Sequence, residues 1–220
     1  MIDEHNPQEQ MRHEMQMERL LIKDRVIVSL LFVTVIWTVK VAEVLFGLNL
    51  SQYGVLPRHL DGLWGLLLMP LLHADFGHVG ANSVPSFVLI LATLQFYPKV
   101  AGRVIVGTSV TSAGLVWVFA RPAMHIGASG LIYALAAFLF FSGIFRRETK
   151  AIAVAMLVAM LYGSMVWGVL PIYPDVSWEG HLFGGVAGGL FAYRYRWTDR
   201  AIETDEEWDD QEATSPYNTH

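Results

Sequence analysis

The chain has 220 residues, of which 54% are hydrophobic and 16% are charged, and its formal net charge is -5 at pH 7. Together with a mean hydropathy of +0.41, this composition leaves too little polar surface for a soluble globular protein and indicates a polytopic membrane protein. The absence of cysteine excludes disulfides, thiolate catalysis and cysteine-ligated zinc. Much of the acidic charge falls in residues 203–210, so the net charge does not describe a uniformly acidic surface.

The two ends of the chain are polar. Residues 1–25 lack a short apolar core followed by a small-residue cleavage site, so we expect a cytoplasmic N-terminal segment and a retained anchor rather than a removable signal peptide. Residues 198–220 are predicted to form an acidic, disordered cytoplasmic tail. Residues 26–197 are predicted to form one membrane domain.

Six segments within this domain are apolar and long enough to cross a bilayer, which takes about 17 to 25 residues. A seventh apolar stretch, residues 62–72, is too short to cross and is predicted to be an interfacial or re-entrant element packed against the bundle. The predicted fold is therefore an all-α bundle of six transmembrane helices. The predicted spans are residues 26–48, 79–97, 104–120, 129–145, 151–170 and 178–193.

The basic residues predict the orientation, because lysine and arginine accumulate in cytoplasmic loops. The loops on one side hold only Arg58 and Arg121. Both termini are therefore predicted to be cytoplasmic, and the second, fourth and sixth spans begin at the outer face. The basic residues on the inner side are Arg12, Arg19, Lys23, Arg25, Lys99, Arg103, Arg146, Arg147, Lys150, Arg194, Arg196 and Arg200.

This orientation brings polar groups from three spans to one outer level. His78 and Asn82 are near the start of the second span, Ser129 begins the fourth, and His181 is near the start of the sixth. Each has a simpler explanation when taken alone, since small residues such as those around Ser129 favour helix packing and a lone histidine can be a satisfied interior polar group. Polar groups within spans are costly, however, and the matched depth of Ser129 and His181 favours a functional site.

The chemistry of these side chains suits hydrolysis. A histidine with an ordinary pKa near 6.5 can remove the proton of a serine hydroxyl at neutral pH. The unpaired N–H groups at the start of the fourth span, with His78 and Asn82, could stabilise the resulting oxyanion. Glu179 lies two residues from His181 on another helical face, so Ser129 and His181 predict a dyad and not a triad.

Two further features of the spans are structural in this interpretation. Lys40 and Glu43 are three residues apart in the first span, so we expect them to pair or to snorkel and assign them no chemistry. In the sixth span Gly180, Gly184 and Gly188 recur every four residues. This stripe predicts close packing against the helix that begins at Ser129.

These motifs resemble those of the rhomboid family of intramembrane serine proteases, of the six-span type. The resemblance covers all six spans, roughly residues 26–197, and the Trp-Arg pair common in the family's first outer loop is missing from residues 58–64. The matching residues are His73, His78 and Asn82 at the family's spacing, Gly127, Ser129 and Gly130 of its Gly-x-Ser-Gly motif, Tyr133, which stacks on the catalytic imidazole in the family, and His181 with Gly184 and Gly188.

The resemblance implies that Ser129 is the nucleophile and that His181 is the general base and then the acid. Asn82, His78 and the Ser129 backbone N–H would stabilise the oxyanion, with Gly127, Tyr133 and His73 in support. The implied substrates are transmembrane segments cut near the outer face of a prokaryotic inner membrane. A hydrated cavity around His73 and His78 would supply water, and the second and fifth spans, or the loop after the fifth, would gate access. No metal, cofactor or nucleic acid is implied, and the oligomeric state is left open.

Two alternatives remain open from the sequence. A metal-dependent protein could use His73, His78, His181 and Asp75 as ligands, although there is no HExxH motif and no firm metal spacing. A non-catalytic rhomboid-like protein could bind transmembrane clients without cutting them. Such a protein would normally lack the serine or the histidine, whereas this chain has both.

Overall fold

A computed structural model describes residues 7–172 and 176–198, and in these ranges the chain is helical apart from connections and one isolated β-bridge between Val55 and His125. The all-α prediction is therefore confirmed. The predicted disordered tail, residues 198–220, lies outside the described residues except for Thr198. The α-helices are α1 (Pro7–Leu45), α2 (Gly65–Leu68), α3 (Phe76–Phe96), α4 (Ala101–Phe119), α5 (Ser129–Arg146), α6 (Thr149–Tyr162) and α7 (Trp178–Arg194).

The predicted spans correspond to helices in chain order. Five helical segments in the described ranges are long and apolar enough to cross a membrane: Arg19–Leu45 of α1, α3, α4, α5, and Thr149–Val169, which combines α6 with a 3-10 helix. The sixth predicted span is α7, which has 17 residues and is at the lower limit of length for crossing. The protein is thus a multi-pass membrane protein built as a helical bundle.

Two span boundaries differ from the prediction. The first span was expected to reach residue 48, but α1 ends at Leu45 and Gly47 adopts a left-handed conformation with φ 61°, which favours glycine. The fifth was expected to be one helix to residue 170, but α6 ends at Tyr162 and a 3-10 helix continues as Gly163–Val169. At its other end α1 begins at Pro7, so the polar residues from 7 to 25 extend the first span as one helix of 39 residues.

The apolar stretch at residues 62–72 forms no span. It folds into α2 between two 3-10 helices, Leu60–Trp64 and Met69–Leu71, and it packs against α4. A Cβ atom at Gly62 or Gly65 would overlap the backbone of Leu56 or of residues 54–55. These glycines therefore allow the stretch to fold back on its own loop, as expected for an element that does not cross the bundle.

The first loop is fixed without the Trp-Arg pair. The Arg58 guanidinium donates to the carbonyl oxygens of Val118 at 3.1 Å and Ala120 at 2.8 Å. Carbonyl groups at the end of a helix such as α4 have no partner within the helix. Trp117 Nε1 donates to the carbonyl of His59 at 2.9 Å. These contacts fasten the loop to the end of α4.

Helix α5 is the centre of the bundle and packs against α3, α4, α6 and α7. Its buried side chains include Leu135, Phe138 and Leu139. Added Cβ atoms at Gly184 and Gly188 would overlap the carbonyl oxygens of Gly130 and Ala134 in α5. The two backbones therefore approach closely, and the predicted packing of the sixth span against the helix that begins at Ser129 is confirmed.

Candidate active site

Ser129 is the first residue of α5 and follows a turn that only glycine accommodates well. Gly127 has φ 113°, and a Cβ atom there would lie 2.8 Å from Cε1 and Nε2 of His78. The Gly127 N–H donates to the carbonyl of Met69 at 2.9 Å. This turn presents the Ser129 hydroxyl at a helix start, where the first backbone N–H groups have no intrahelical acceptor.

His181 lies in the first turn of α7 and is held on two sides. Its Nδ1 is 2.8 Å from the carbonyl oxygen of Gly168. Its ring stacks on Tyr133 with centroids 4.2 Å apart and planes at 5°, and the Tyr133 hydroxyl donates to the carbonyl of Met165 at 2.7 Å. The 3-10 helix after α6 therefore orients the imidazole.

The contact with Gly168 determines the tautomer of His181. A carbonyl oxygen can only accept, so Nδ1 must bear the hydrogen, and in the neutral imidazole Nε2 is then the free base. A Cβ atom at residue 168 would overlap the Tyr133 hydroxyl and lie 3.2 Å from His181 Nδ1. Sequence reasoning missed Gly168 and Met165, because no motif marks a residue that contributes only a backbone carbonyl.

Ser129 and His181 line one cavity of about 780 Å³. His78, Asn82 and Tyr133 line the same cavity, so the structure brings together most of the side chains singled out from the sequence. Among the described residues, the Ser129 hydroxyl and the His181 ring make no hydrogen bond to each other. Catalytic hydrogen bonds are often long before substrate binds and tighten only in the complex.

His78 and Asn82 lie one turn apart near the start of α3. The carboxylate of Asp75 caps this helix by accepting the His78 N–H at 2.8 Å, so Asp75 organises the helix start. Asn82 Nδ2 is buried and has no hydrogen-bond partner among the described residues, and it would lie 3.8 Å from a Cβ atom at Gly127. A buried donor beside the Ser129 turn is suited to a charge that develops there.

His73 differs from the expectation that it lines the cavity. It is 2% exposed and is not among the lining residues. Its Nε2 accepts the Ala128 N–H at 3.4 Å, and its ring meets His78 edge-on with centroids 4.9 Å apart. Burial, with a smaller effect of His78, lowers the pKa of His73 to about 4, so it is a neutral support for the Ser129 turn at neutral pH.

Among the described residues, no carboxylate forms a hydrogen bond with His181. Glu179 forms an ion pair with Arg121 at 3.2 Å, and the Arg121 side chain also donates to the carbonyl of Val176 at 2.8 Å. The orienting acceptor of His181 in the described part of the chain is the Gly168 carbonyl. The part of the chain that the structure describes therefore contains no carboxylate paired with His181.

A second contact that the sequence did not reveal fixes the start of α7. His125 Nε2 faces the carbonyl of Arg121 at 3.2 Å and Nδ1 lies 2.6 Å from the Ser177 hydroxyl. Because the carbonyl can only accept, Nδ1 accepts from Ser177, whose oxygen in turn accepts the Gly180 N–H at 3.3 Å and caps the helix. Burial lowers the pKa of His125, which favours this neutral arrangement.

The metal alternative finds no support in the geometry. In residues 7–172 and 176–198, no group of three or more histidine, aspartate or glutamate side chains is arranged to hold an ion. Asp75 caps α3, and His73 accepts a backbone N–H. Two of the four candidate ligands therefore have structural partners.

Comparisons with known proteins agree with this architecture. Residues 60–198 match the family model described as Rhomboid domain. An uncharacterized protein of Mycobacterium tuberculosis is 36% identical over 173 residues, covering 74% of this chain and 72% of the relative. An uncharacterized protein of Mycobacterium leprae is 34% identical over 178 residues, covering 74% and 68%.

A more distant relative has a name that states an activity. The Bacillus subtilis protein named "Putative rhomboid protease YdcA" is 30% identical over 149 residues, covering 60% of this chain and 68% of its own length. The family match extends over α2 to α7, the part of the chain that contains every residue lining the cavity. The chain therefore belongs to the rhomboid family.

Proposed function

We propose that this protein is an intramembrane serine endopeptidase that cuts transmembrane segments of membrane proteins near the outer membrane face. The observation that supports the proposal most directly is the cavity that Ser129 shares with His181, a histidine whose Nε2 is the free base. Membership of the rhomboid family adds the expectation of membrane-embedded substrates.

In the proposed reaction the Ser129 oxygen attacks the scissile carbonyl carbon while His181 Nε2 takes the hydroxyl proton. The tetrahedral oxyanion collapses, the peptide C–N bond breaks, and His181 returns the proton to the leaving amine. Water then attacks the acyl-enzyme with His181 again as the base, which releases the acid and restores the serine. No cofactor is needed for this balance.

The oxyanion is proposed to be stabilised by Asn82 Nδ2, His78 and the Ser129 backbone N–H. Two observations support this assignment: Asn82 Nδ2 is a buried donor without a partner among the described residues, and both side chains adjoin Gly127. Donors fixed before the reaction contribute most where water is excluded. Tyr133 would keep the imidazole in plane, and His73 would support the turn before Ser129.

Substrates are proposed to approach laterally from the lipid, between α3 and α6. Helix α6 packs mainly against α5, and Val84 of α3 and Met160 of α6 are 67% and 75% exposed. The 3-10 helix after α6 contains the carbonyl acceptors of Tyr133 and His181. Movement of this element would therefore couple substrate access to the orientation of the base.

The proposal is tested by incubating the purified protein in detergent or liposomes with a single-span substrate and mapping products by mass spectrometry. We expect one cut near the outer end of the substrate span, lost in Ser129→Ala and in His181→Ala. If the wild-type protein binds the segment without cutting it, the client-binding alternative replaces the protease.

A further inference from the structure

The first helix contains a buried ion pair that the proposed reaction does not use. Lys40 Nζ lies 2.8 Å from Glu43 Oε2, and the two residues are only 7% and 8% exposed. Their expected pairing is confirmed, whereas snorkelling to the surface is wrong. Both residues precede the segment matched by the family model, and α1 contributes no residue to the cavity.

The lysine uses its remaining donors on the chain that leads into α3. Nζ donates to the carbonyl of Ala74 at 2.8 Å and to that of His73 at 3.1 Å. With Glu43 these acceptors account for all three ammonium hydrogens. The ammonium group therefore fixes two consecutive peptide groups directly before Asp75, which caps the helix that contains His78 and Asn82.

The glutamate fixes the direction in which the lysine points. Glu43 Oε2 accepts from Lys40, while Oε1 accepts the Leu50 N–H at 2.9 Å, just after α1 ends. A lysine side chain has high rotamer freedom unless both its charge and its stem are held. Replacing both partners of a buried ion pair by apolar residues often leaves the free energy of unfolding unchanged. The main effect of the Lys40–Glu43 pair is therefore to hold the lysine in one position.

His73 extends this contact to the serine. Its carbonyl accepts from Lys40, its Nε2 accepts the N–H of Ala128, the residue before Ser129, and its ring contacts His78. One residue thus connects the ammonium group of α1 to both sides of the proposed oxyanion site.

We infer that Lys40, held by Glu43, is a positioning residue that sets the distance between the oxyanion donors of α3 and Ser129. This inference rests on the proposed function, because an oxyanion site is meaningful only in an acyl-transfer enzyme. Loss of the lysine anchor leaves the cavity lined by the same residues but lets the segment before α3 move.

The test compares Lys40→Met and the double variant Lys40→Met/Glu43→Leu with the wild-type protein. Both remove the carbonyl anchor. The double variant leaves no buried unpaired carboxylate, so we expect it to fold even where the single variant is damaged. We expect kcat to fall tenfold or more in both, with KM unchanged within twofold. Hydrogen exchange of the peptide covering residues 71–79 should accelerate in both.

A matched control weakens the same helix pair at its other end. Arg25 Nη1 donates to Gln95 Oε1 of α3 at 2.6 Å, far along α1 from Lys40. Arg25→Met should leave kcat and exchange at residues 71–79 at wild-type values. An equal fall of kcat in this control, or wild-type kcat in the double variant, would overturn the positioning role.

Different results would refute the protease activity and the positioning role of Lys40. A wild-type protein that never cuts a substrate refutes the proposed protease and, with it, any role in positioning an oxyanion. A wild-type protein that cuts, beside a double variant that cuts equally fast, refutes the positioning role alone. The exchange measurement decides the Lys40 anchor whatever the activity.

Discussion

At the scale of single residues, the proposed chemistry depends on hydrogen-bond directions that the sequence does not contain. Ser129, His181, His78 and Asn82 could be singled out beforehand because their side chains are polar at matched depth in spans. Gly168 could not, since any residue can supply a carbonyl, and its effect on the His181 tautomer emerges only from the 2.8 Å contact.

Removing the proposed oxyanion donors should lower turnover while the protein stays folded. Loss of one such donor costs about a hundredfold to a thousandfold in acyl-transfer enzymes, so Asn82→Ala and His78→Ala should each reduce kcat by a factor of up to this size. Steady-state cleavage with circular dichroism as the folding check measures this. Wild-type turnover in both variants and in the double variant would exclude these residues from the oxyanion site.

Adding one methyl group at Gly168 should disturb His181, the proposed base, without contacting Ser129, the proposed nucleophile. The new atom would overlap the Tyr133 hydroxyl and crowd His181 Nδ1, so Gly168→Ala should reduce kcat at least tenfold. Gly163→Ala, in the same 3-10 helix with nothing within 4 Å of an added Cβ, is the matched control. Equal cleavage rates in the two variants would refute the role of this carbonyl.

At the scale of elements, close packing of α7 against α5 brings His181, the proposed base, to the cavity lined by Ser129, the proposed nucleophile. The four-residue repeat of glycines predicted the contact. The two backbones approach so closely that side chains at Gly184 and Gly188 would overlap α5. By contrast, hydropathy did not separate the α-helical from the 3-10 part of residues 151–170, because the two form one continuous apolar segment. The cap formed by Ser177 and His125 was also missed, since no helix-start pattern includes a distant histidine.

A side chain at Gly184 should separate the two helices. Gly184→Val would push against the Gly130 carbonyl, and overpacking of this kind typically costs about 1–3 kcal/mol, so both thermal stability and cleavage should fall. Gly185→Val adds the same side chain where nothing lies within 4 Å and should behave as wild type. Differential scanning fluorimetry in detergent measures the shift, and equal melting temperatures in the two variants would show that the stripe is not the contact.

At the scale of the whole molecule, composition alone identified a multi-pass helical bundle, and the spacing of apolar segments placed its six helices in order. The same data could not predict how the first loop folds without the Trp-Arg pair, because Arg58 acts there on carbonyl groups of α4 more than 50 residues away. Pairing of Lys40 with Glu43 was one of the two expectations from their spacing, and the structure confirms it. The carbonyl groups that Lys40 fixes are a tertiary property.

The buried His73 should make global stability sensitive to acid. Its pKa is about 4 in the folded protein against an ordinary 6.5, so the unfolded chain binds the proton more readily between these values. The contribution of neutral His73 to the free energy of unfolding is complete above pH 6.5. It is lost progressively as the pH falls from 6.5 to about 4. Melting temperatures measured across this pH range should fall less steeply in His73→Gln than in the wild type. His59→Gln, at an exposed site, is the control and should follow the wild type. The same dependence of melting temperature on pH in all three proteins would contradict the lowered pKa of His73.

The most direct test of the central claim is covalent labelling of Ser129 by a fluorophosphonate probe, which requires a hydroxyl activated by a base and needs no substrate. We expect the label to map to Ser129 by mass spectrometry, to disappear in Ser129→Ala and to fall steeply in His181→Ala, while all variants keep the wild-type helical signal. A folded wild-type protein that takes up no label at Ser129, or labels equally well without His181, would contradict the dyad.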